Sequence, residues 1–310
     1  MQLLTIALSF LLSAFFSDLP ANSEKNGFDL SNSLIPSDKI FSGGPDRDGI
    51  PAIDHPKFLK APERIILQPD DRILGMTYQG ISKAYPIKIL NYHEIVNDQF
   101  GDEPVVITFC PLCGSGIAYS ASLAGKTLHF GVSGLLYNSD VLLFDRETES
   151  LWSQLMNQAI SGSMRGKRLS PLAITHTTWE NWRKRFPNTL VLSNDTGYYR
   201  DYTKNPYKDY HLDRKIWFPV EQQSDRYHPK EMVLGIEING QFKAYPFSEL
   251  AKVKADINDQ LAGKHYSIHY NPWHQTASVT DNSGNEIPTV MTFWFAWYGF
   301  HPETLIYQVQ

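Results

Sequence analysis

The side chains best suited to chemistry are two cysteines three residues apart, Cys110 and Cys113, and the chain has no others. They lie in a Cys-Pro-Leu-Cys segment that directly follows a predicted strand over residues 105–109. A Cys-X-X-Cys pair at the end of a strand brings two sulfurs within reach of one metal ion or of each other. Pro111 restricts the backbone of this loop. The glycine- and serine-rich residues 114–116 that follow offer backbone amides that stabilise thiolates.

Two histidines are candidates to complete a metal site with these sulfurs. His93 lies on the inward face of a predicted helix, with apolar neighbours at helical spacing, just before the strand that leads to Cys110. His274 falls opposite Cys113 when two related stretches of the sequence are aligned. An ordinary hydrogen-bonded imidazole is the alternative interpretation of each histidine.

Three interpretations of the cysteine pair stay open. Two thiolates and an imidazole suit copper(I) or zinc, and metal binding is the favoured interpretation. Thiol–disulfide redox chemistry in an oxidising compartment is the second, with Cys110 and Cys113 as the reacting groups. The third is a structural cysteine pair in a non-enzymatic interaction module. The sequence lacks a histidine directly after Cys113 and a second Cys-X-X-Cys, which excludes a c-type haem and a four-cysteine zinc site within one chain.

Two groups of polar side chains are candidates to support this centre. The first group, at the end of a predicted helix, would orient the imidazole or the loop; it consists of Glu94, Asn97 and Asp98. The second group would form the wall of a cleft; it consists of Asp145, Trp152 and Gln154. For the second group the sequence favours the alternative of a β-turn followed by a capped helix.

Composition and charge exclude several classes of function. The formal net charge is -5 and there is no basic stripe, which argues against nucleic-acid binding. Phosphate-loop, dinucleotide-binding, zinc-protease and serine-hydrolase motifs do not occur. We expect no transmembrane segment in the mature chain. The predicted partner is a metal ion or a small molecule, and the sequence leaves open whether the protein is an enzyme.

Two stretches 160 residues apart share a sequence pattern. Residues 73–86 match residues 233–246: each has an apolar run with a central glycine, a Gln-Gly or Asn-Gly turn, and the sequence Lys-Ala-Tyr-Pro. With one residue of slip, the Cys-Pro-Leu-Cys segment at residues 110–113 falls opposite Asn-Pro-Trp-His at residues 271–274. Two copies with so long a period indicate duplication rather than a solenoid.

The repeat sets the predicted fold. In each copy the apolar runs predict a β-hairpin. A helix follows, over residues 87–98 in the first copy and 247–259 in the second, and then a strand. The sequence therefore predicts an α+β fold with mostly antiparallel sheet. Two related ββαβ halves, at about residues 73–110 and 233–271, are expected to pack as one unit.

The N-terminal residues predict export. Residues 1–16 are almost entirely apolar and a polar, proline-containing segment follows, as in a secretory signal peptide, although no lysine or arginine precedes the apolar run. The predicted organisation is a signal peptide over residues 1–21, a loop-rich lead-in over residues 22–60, and a single α+β domain over residues 61–310. We therefore expect an extracytoplasmic location, periplasmic or secreted.

An aromatic run near the C-terminus, residues 293–298, is predicted to be a core strand, because aromatic residues pack well in sheets. The alternative is an exposed surface of an interaction module.

Several separated motifs resemble one bacterial family. They are Asn-Tyr-His-Glu-Ile-Val-Asn-Asp from Asn91, Cys-Pro-Leu-Cys-Gly-Ser from Cys110, Phe-Gly-Val-Ser-Gly from Phe130, the segment from Asp145 to Gln154, and the closing aromatic run with His-Pro-Glu-Thr from His301. Over most of residues 60–307 the chain resembles the domain-of-unknown-function 3179 family. Members are typically bacterial and often carry an export signal. The resemblance implies no particular activity, because the family has no settled function.

Overall fold

The structure is a computed structural model that describes residues 23–60 and 67–309. Strands account for 41% of it and helices for only 11%. The predicted fold class, α+β with two related ββαβ halves, is therefore wrong: the protein is mostly β. The predicted signal peptide over residues 1–21 lies outside the described residues.

The strands are short and nearly all antiparallel. In chain order they are β1 (Glu24–Lys25), β2 (Phe28–Asp29), β3 (Ile40–Ser42), β4 (Phe58–Lys60), β5 (Arg72–Tyr78), β6 (Ile81–Pro86), β7 (Ile95–Phe100), β8 (Glu103–Cys110), β9 (Ser115–Ser120), β10 (Ser122–Leu123), β11 (Lys126–Thr127), β12 (Phe130–Tyr137), β13 (Asp140–Asp145), β14 (Leu151–Ser153), β15 (Gln158–Ala159), β16 (Pro171–Leu172), β17 (Thr175–Thr178), β18 (Leu190–Leu192), β19 (Met232–Ile238), β20 (Gln241–Pro246), β21 (Ile257–Leu261), β22 (Lys264–Asn271), β23 (Thr276–Asp281), β24 (Val290–Phe293) and β25 (Leu305–Ile306). The α-helices are α1 (Ile87–His93), α2 (Trp179–Arg185), α3 (Phe247–Leu250) and α4 (Trp294–Phe300). Two 3-10 helices cover Ser37–Lys39 and Tyr210–Leu212.

Five sheets of three to five strands form the body in a propeller-like arrangement. Their strand orders are β15-β14-β13-β12-β3, β16-β9-β8-β7, β17-β5-β6-β18-β4, β24-β19-β20-β25 and β21-β22-β23. Two small ribbons, β1-β2 and β10-β11, complete the described strands. Each predicted ββαβ unit is divided between two sheets, because α1 and α3 turn the chain from one sheet into the next. None of the helices in the described ranges is long and apolar enough to cross a membrane.

The predicted helix over residues 87–98 stops at His93, because Glu94 takes a φ of 57° and ends it. The chain continues as β7, which begins with two β-branched residues, Ile95 and Val96, that suit a strand. Likewise α3 covers only the first four residues of the predicted helix over 247–259. In the first copy, helical spacing of apolar residues misled the prediction because α1 leads almost directly into β7, whose first residues are buried; in the second copy, six residues of turn and loop separate α3 from β21.

The two stretches with matching sequence share local contacts. Gly75 pairs with Ala84 in β5–β6, and Gly235 pairs with Ala244 in β19–β20. An indole ring covers each glycine: a Cβ added at Gly75 would lie 2.3 Å from Trp182, and one added at Gly235 would lie 2.1 Å from Trp297. The glycines are therefore required by the close approach of these rings to the strands.

The aromatic run at residues 293–298 is not a strand beyond Phe293. It forms α4, whose residues Trp294, Phe295, Ala296 and Trp297 are buried. The run is therefore part of the core and presents no exposed aromatic surface, so the predicted strand is wrong and the alternative of a docking surface here is excluded. The lead-in also joins the body, since β3 pairs with β12 and β4 pairs with β18.

Candidate metal centre

The two cysteines lie at the tip of the hairpin formed by β8 and β9. Cys110 is the last residue of β8 and pairs with Ser115, the first residue of β9, so a four-residue turn contains Cys113. Gly114 closes the turn with a φ of 63°, a conformation that glycine adopts without strain. Both cysteines are free and buried, with exposed fractions of 1% and 0%. The predicted position of the pair at the end of a strand is confirmed.

Neighbouring strands hold the cysteine turn in place. The backbone N–H of Phe293 and the hydroxyl of Thr292, both in β24, donate to the carbonyl oxygen of Cys113 at 2.8 and 2.9 Å. Behind the turn, Ser115 Oγ donates to Gln154 Oε1 at 2.6 Å, and Gln154 Nε2 donates to Thr108 Oγ1 at 2.8 Å. Gln154 is thus a buried brace of the hairpin.

A second hairpin, β12–β13, brings Asp140 against the two sulfurs. Its two-residue turn consists of Asn138 and Ser139, with φ values of 50° and 65°. Positive φ at both positions defines the tight turn that favours asparagine. Asn138 is fixed from both ends of its amide: Nδ2 donates to Gly299 O at 3.0 Å, and Oδ1 accepts from Glu221 N at 2.8 Å. Asp140, the first residue of β13, is thereby held in the core with 0% exposure.

Cys110, Cys113 and Asp140 form a group of potential metal ligands. One ligand atom from each lies within 4.8 Å of the others. The Sγ atoms of Cys113 and Cys110 lie 3.4 and 3.9 Å from the carbonyl oxygen of Ser139, to which the thiols donate weakly. Asp140 Oδ2 accepts from Leu155 N at 3.0 Å, whereas Oδ1 is buried without a hydrogen-bond partner among the described residues.

The electrostatics of the group reflect its burial. Desolvation raises the pKa of Asp140 to about 7. It also raises the pKa of Cys110, and that of Cys113 well above its usual value. Glu94, which ends α1 next to β8, is a fourth buried acid: desolvation first, and the charge of Asp140 second, raise its pKa to about 8. Without a cation, the two thiols and Glu94 hold their protons near neutral pH, whereas Asp140 is divided between its protonated and ionised forms.

Residues 47–304, nearly the whole chain, match the family described as "Protein of unknown function (DUF3179)". The chain belongs to this family. The resemblance noted in the sequence is therefore confirmed. The chain matches none of the curated proteins and none of the solved structures with which it was compared.

In this DUF3179 protein, His93 does not belong to the ligand group. The imidazole is buried, and its Nδ1 lies 2.7 Å from the carbonyl oxygen of Pro51, to which only a protonated nitrogen can donate. Nε2 lies 2.6 Å from the hydroxyl of Tyr202 and accepts from it. Both ring nitrogens are thus engaged, and the third potential ligand is Asp140 instead.

His274 is also outside the group. Its Nδ1 lies 2.8 Å from Thr178 Oγ1 in β17, and its carbonyl oxygen accepts a hydrogen bond from Arg72. His274 lies in a turn that resembles the cysteine turn, as the aligned sequences indicate. That turn belongs to a different sheet, β21-β22-β23, so His274 is not a neighbour of the sulfurs in the ligand group.

The other predicted polar residues have structural partners. Asp98 accepts from Lys83 Nζ at 2.8 Å and from the hydroxyl of Tyr85, which ties β6 to β7. Asn97 Nδ2 donates to Phe130 O at 2.9 Å and Asn97 Oδ1 accepts from Phe130 N at 2.8 Å, which joins β7 to β12.

Asp145 caps the turn after β13. Its Oδ1 accepts from Thr148 N at 2.6 Å, and its Oδ2 accepts from Trp152 Nε1 at 2.8 Å. Asp145 and Trp152 are therefore turn and core residues, in agreement with the alternative of a β-turn. The helix of that alternative is absent, because the residues that follow form β14.

Sequence reasoning missed Asp140. The signal was present: a single acid stands between the apolar runs of β12 and β13, directly after Asn-Ser, a pair suited to a tight turn. An acid at the start of a strand that is otherwise apolar is costly to bury, so it marks a site that needs a partner.

Proposed function

We propose that this DUF3179 protein binds one metal ion through Cys110, Cys113 and Asp140, with zinc preferred over copper(I). The proposal rests first on Asp140 Oδ1. This oxygen is buried without a hydrogen bond of good geometry among the described residues, and its carboxyl is grouped with two buried thiols that interact with it and whose protons a metal ion would displace. A buried carboxyl oxygen without a partner is costly, and a metal ion would satisfy it.

Charge supports the same assignment. Asp140, Glu94 and the two thiols lie close enough to influence one another, and no basic side chain is among the main causes of the raised pKa of either carboxyl. A divalent cation displaces the protons of thiols and carboxyls when it binds, and its charge offsets most of theirs. The arrangement is therefore suited to a cation and poorly suited to an anion.

The donor set favours zinc. Copper(I) prefers thiolates and thioethers, whereas zinc, which is borderline-soft, binds both cysteine sulfur and carboxylate oxygen. Two sulfurs and one oxygen provide three of the four ligands of a tetrahedral zinc ion. Three protein ligands leave one position for water, for a substrate or for Glu94.

Elemental analysis with thiol titration tests the proposal. Protein purified from its native compartment without chelators should carry about one zinc per chain, and both thiols should titrate once the zinc is removed. Protein that contains neither metal nor titratable thiols would contradict the proposal and indicate a disulfide. Protein with copper in place of zinc would contradict the preference for zinc.

Asp140→Asn provides the matched variant, because it keeps the shape of the side chain and removes its charge. Loss of a residue that only orients a ligand already costs about 10–100-fold in metal affinity, so loss of this ligand should cost at least about a hundredfold. Asp102→Asn, at an exposed turn, is the control and should bind zinc as the wild type does. Equal zinc affinity in all three proteins would exclude Asp140 as a ligand.

Thiol–disulfide chemistry is the second candidate. The proximity of the two free sulfurs favours it. Their burial and raised pKa values argue against it, because a reactive cysteine is usually accessible and has a lowered pKa. A defined reduction potential in metal-free protein, with no zinc in the native protein, would favour this candidate.

We also propose that the protein works outside the cytoplasm, on the basis of the apolar N-terminal run at residues 1–16. The mass of the mature protein tests this proposal: removal of about the first 21 residues is expected for a secretory signal peptide. An intact N-terminus in the cytoplasmic fraction would contradict it.

A further inference from the structure

Three polar side chains form a buried network behind the cysteine turn. They are Thr108 in β8, Ser115 in β9 and Gln154 in the turn between β14 and β15, and each is 0% exposed. Thr108 stands two residues before Cys110, and Ser115 stands two residues after Cys113. Polar groups are costly to bury, so a network at this position needs a physical reason.

The hydrogen bonds of the network run in one direction only. Thr108 Oγ1 donates its single hydrogen to Ile117 O at 2.9 Å, so it can only accept from Gln154 Nε2, which lies at 2.8 Å. The other end of the amide is therefore Oε1, which accepts from Ser115 Oγ at 2.6 Å. The Gln154 amide thus joins both strands of the cysteine hairpin, on either side of the turn.

The backbone at Gln154 connects to the other hairpin, the one that carries Asp140. The N–H of Leu155 donates to Asp140 Oδ2 at 3.0 Å, and the N–H of Gln154 forms a long hydrogen bond of 3.5 Å to Val141 O. Two consecutive residues therefore hold the cysteine hairpin through a side chain and the carboxyl through the backbone. The spacing between Asp140 and the two sulfurs depends on this connection.

That spacing matters for a metal ion because its ligands come from two separate hairpins. The ligand atoms of Cys110, Cys113 and Asp140 all lie within 4.8 Å of one another. A tetrahedral zinc ion needs sulfurs at about 2.3 Å and oxygen at about 2.0–2.2 Å, so a small relative shift of the hairpins changes the coordination. Residues that orient metal ligands typically contribute about 10–100-fold to metal affinity.

We propose that Gln154 is a positioning residue of the metal centre and sets the distance between its sulfurs and its carboxylate. This inference rests on the proposed metal site and names the residue that determines its geometry. Gln154 does not contact the metal. Without its amide, the cysteine hairpin and the Asp140 hairpin lose their shared support, so the metal is bound more weakly and with a distorted geometry.

Zinc affinity of the full chain, measured by competition with a chromophoric chelator, tests the proposal. Gln154→Leu removes both hydrogen bonds without adding a sulfur ligand, and it should bind zinc about 10–100-fold more weakly than the wild type. Gln158→Leu is the matched control, because Gln158 Nε2 donates to the backbone of Gly166 instead of to the cysteine hairpin. This control should bind zinc with wild-type affinity.

Cobalt(II) substitution separates positioning from a general loss of stability. The d–d absorption bands of cobalt report the coordination geometry, and the thiolate-to-cobalt charge-transfer band reports the bound sulfurs. In Gln154→Leu the charge-transfer band should remain and the d–d bands should change in energy and intensity. A variant that is only less stable would bind less cobalt with an unchanged spectrum, and that result would contradict the proposal.

Thr108→Val provides a second variant, because it keeps the shape of the side chain and removes only the hydroxyl that accepts from Gln154. It should change the d–d bands in the same direction, and it decides if Gln154→Leu fails to fold. If the wild type binds zinc and both variants match it in zinc affinity and cobalt spectrum, the positioning role is overturned and the metal site stands. If the wild type binds no zinc, the metal site and the positioning role are both overturned.

Discussion

Two four-residue turns have a similar backbone but differ in their side chains and in their burial. The turn between Cys110 and Ser115 joins β8 to β9, and the turn between Asn271 and Thr276 joins β22 to β23. Each contains four residues and ends with one at positive φ, Gly114 at 63° in the first and Gln275 at 42° in the second. The first turn belongs to a region made of β5 to β9 with β17, α2 and β18, and the second turn to a region made of β19 to β25 with α3 and α4. Each hairpin also contacts a strand of the other region, β9 against β24 and β23 against β17.

The difference lies in what covers each turn. Leu112 in the first turn is 8% exposed, whereas Trp273 at the equivalent place in the second is 90% exposed. The first turn is covered by β24 and by the hairpin that carries Asp140. The backbone of the turn is therefore not sufficient for the candidate metal site. The site also needs the two cysteines and the buried carboxylate of Asp140, which lies on a separate hairpin, β12–β13.

The largest expected difference between the two regions concerns their equivalent ion pairs. Lys83 and Asp98 have side-chain exposures of 7% and 5%, whereas Lys243 and Asp259 have 16% and 18%. Lys83→Met should cost about 3–5 kcal/mol of unfolding free energy, because it leaves a buried carboxylate without its cation. Lys243→Met should cost less, about 1–2 kcal/mol, since water reaches Asp259. Urea denaturation of both variants measures the difference, and equal costs would contradict the comparison.

The next prediction concerns the glycines under the indole rings. Gly75→Ala and Gly235→Ala should each lower the unfolding free energy by about 1–3 kcal/mol, because the added methyl group overlaps Trp182 or Trp297. Gly299→Ala in α4 is the control: its added Cβ would meet no atom closer than 3.8 Å, so the variant should be as stable as the wild type or more so. A neutral effect at only one of the two strand glycines would show that the two contacts are not equivalent.

The smallest expected effect is a difference in acid sensitivity. Phe186 packs on Trp182 in the first region, and His301 packs on Trp297 in the second. Burial first, and the charge of Arg168 second, lower the pKa of His301 to about 4. Its unfolded value is about 6.5, so between these pH values the unfolded chain binds more protons than the folded one. The stability that His301 contributes is therefore complete above about pH 6.5 and is lost as the pH falls to about 4.

His301→Phe should remove this loss. Between pH 7 and pH 4.5 the variant should lose about 1–2 kcal/mol less unfolding free energy than the wild type, after allowance for partial exposure of the ring. Phe186→His is the reciprocal variant and should add a similar acid sensitivity to the first region. Parallel pH profiles for wild type and His301→Phe would contradict the assignment.

Sequence patterns predicted the parts of the molecule that depend on local spacing. The cysteine pair at a strand end and the matching hairpins at Gly75 and Gly235 follow from apolar alternation and turn residues. The fold class did not follow, because the short helices gave no indication that they turn the chain between separate sheets. Apolar residues after His93 fit a helix and a buried strand equally well, and only the backbone at Glu94 decides between them.

Asp140, the third potential metal ligand, could not be assigned to the site from the sequence around the cysteines. Asp140 is 27 residues along the chain from Cys113, and only the pairing of β12 with β13 and the packing of that hairpin bring them together. His93 was correctly predicted to be buried, but its burial serves hydrogen bonds to Pro51 and Tyr202. A histidine on the inward face of a helix can therefore be a hydrogen-bonded core residue as readily as a metal ligand, and its position on the helix does not decide between the two.

X-ray absorption at the zinc edge tests the central claim most directly, because it reports the atoms bound to the metal. For zinc-loaded wild type, the account predicts two sulfur neighbours at about 2.3 Å, with the remaining neighbours oxygen at about 2.0–2.2 Å. In Asp140→Asn, the two sulfurs should remain and the binding should weaken. A shell of four sulfurs, a shell that contains imidazole nitrogen, or an unchanged affinity in Asp140→Asn would contradict a centre made of Cys110, Cys113 and Asp140.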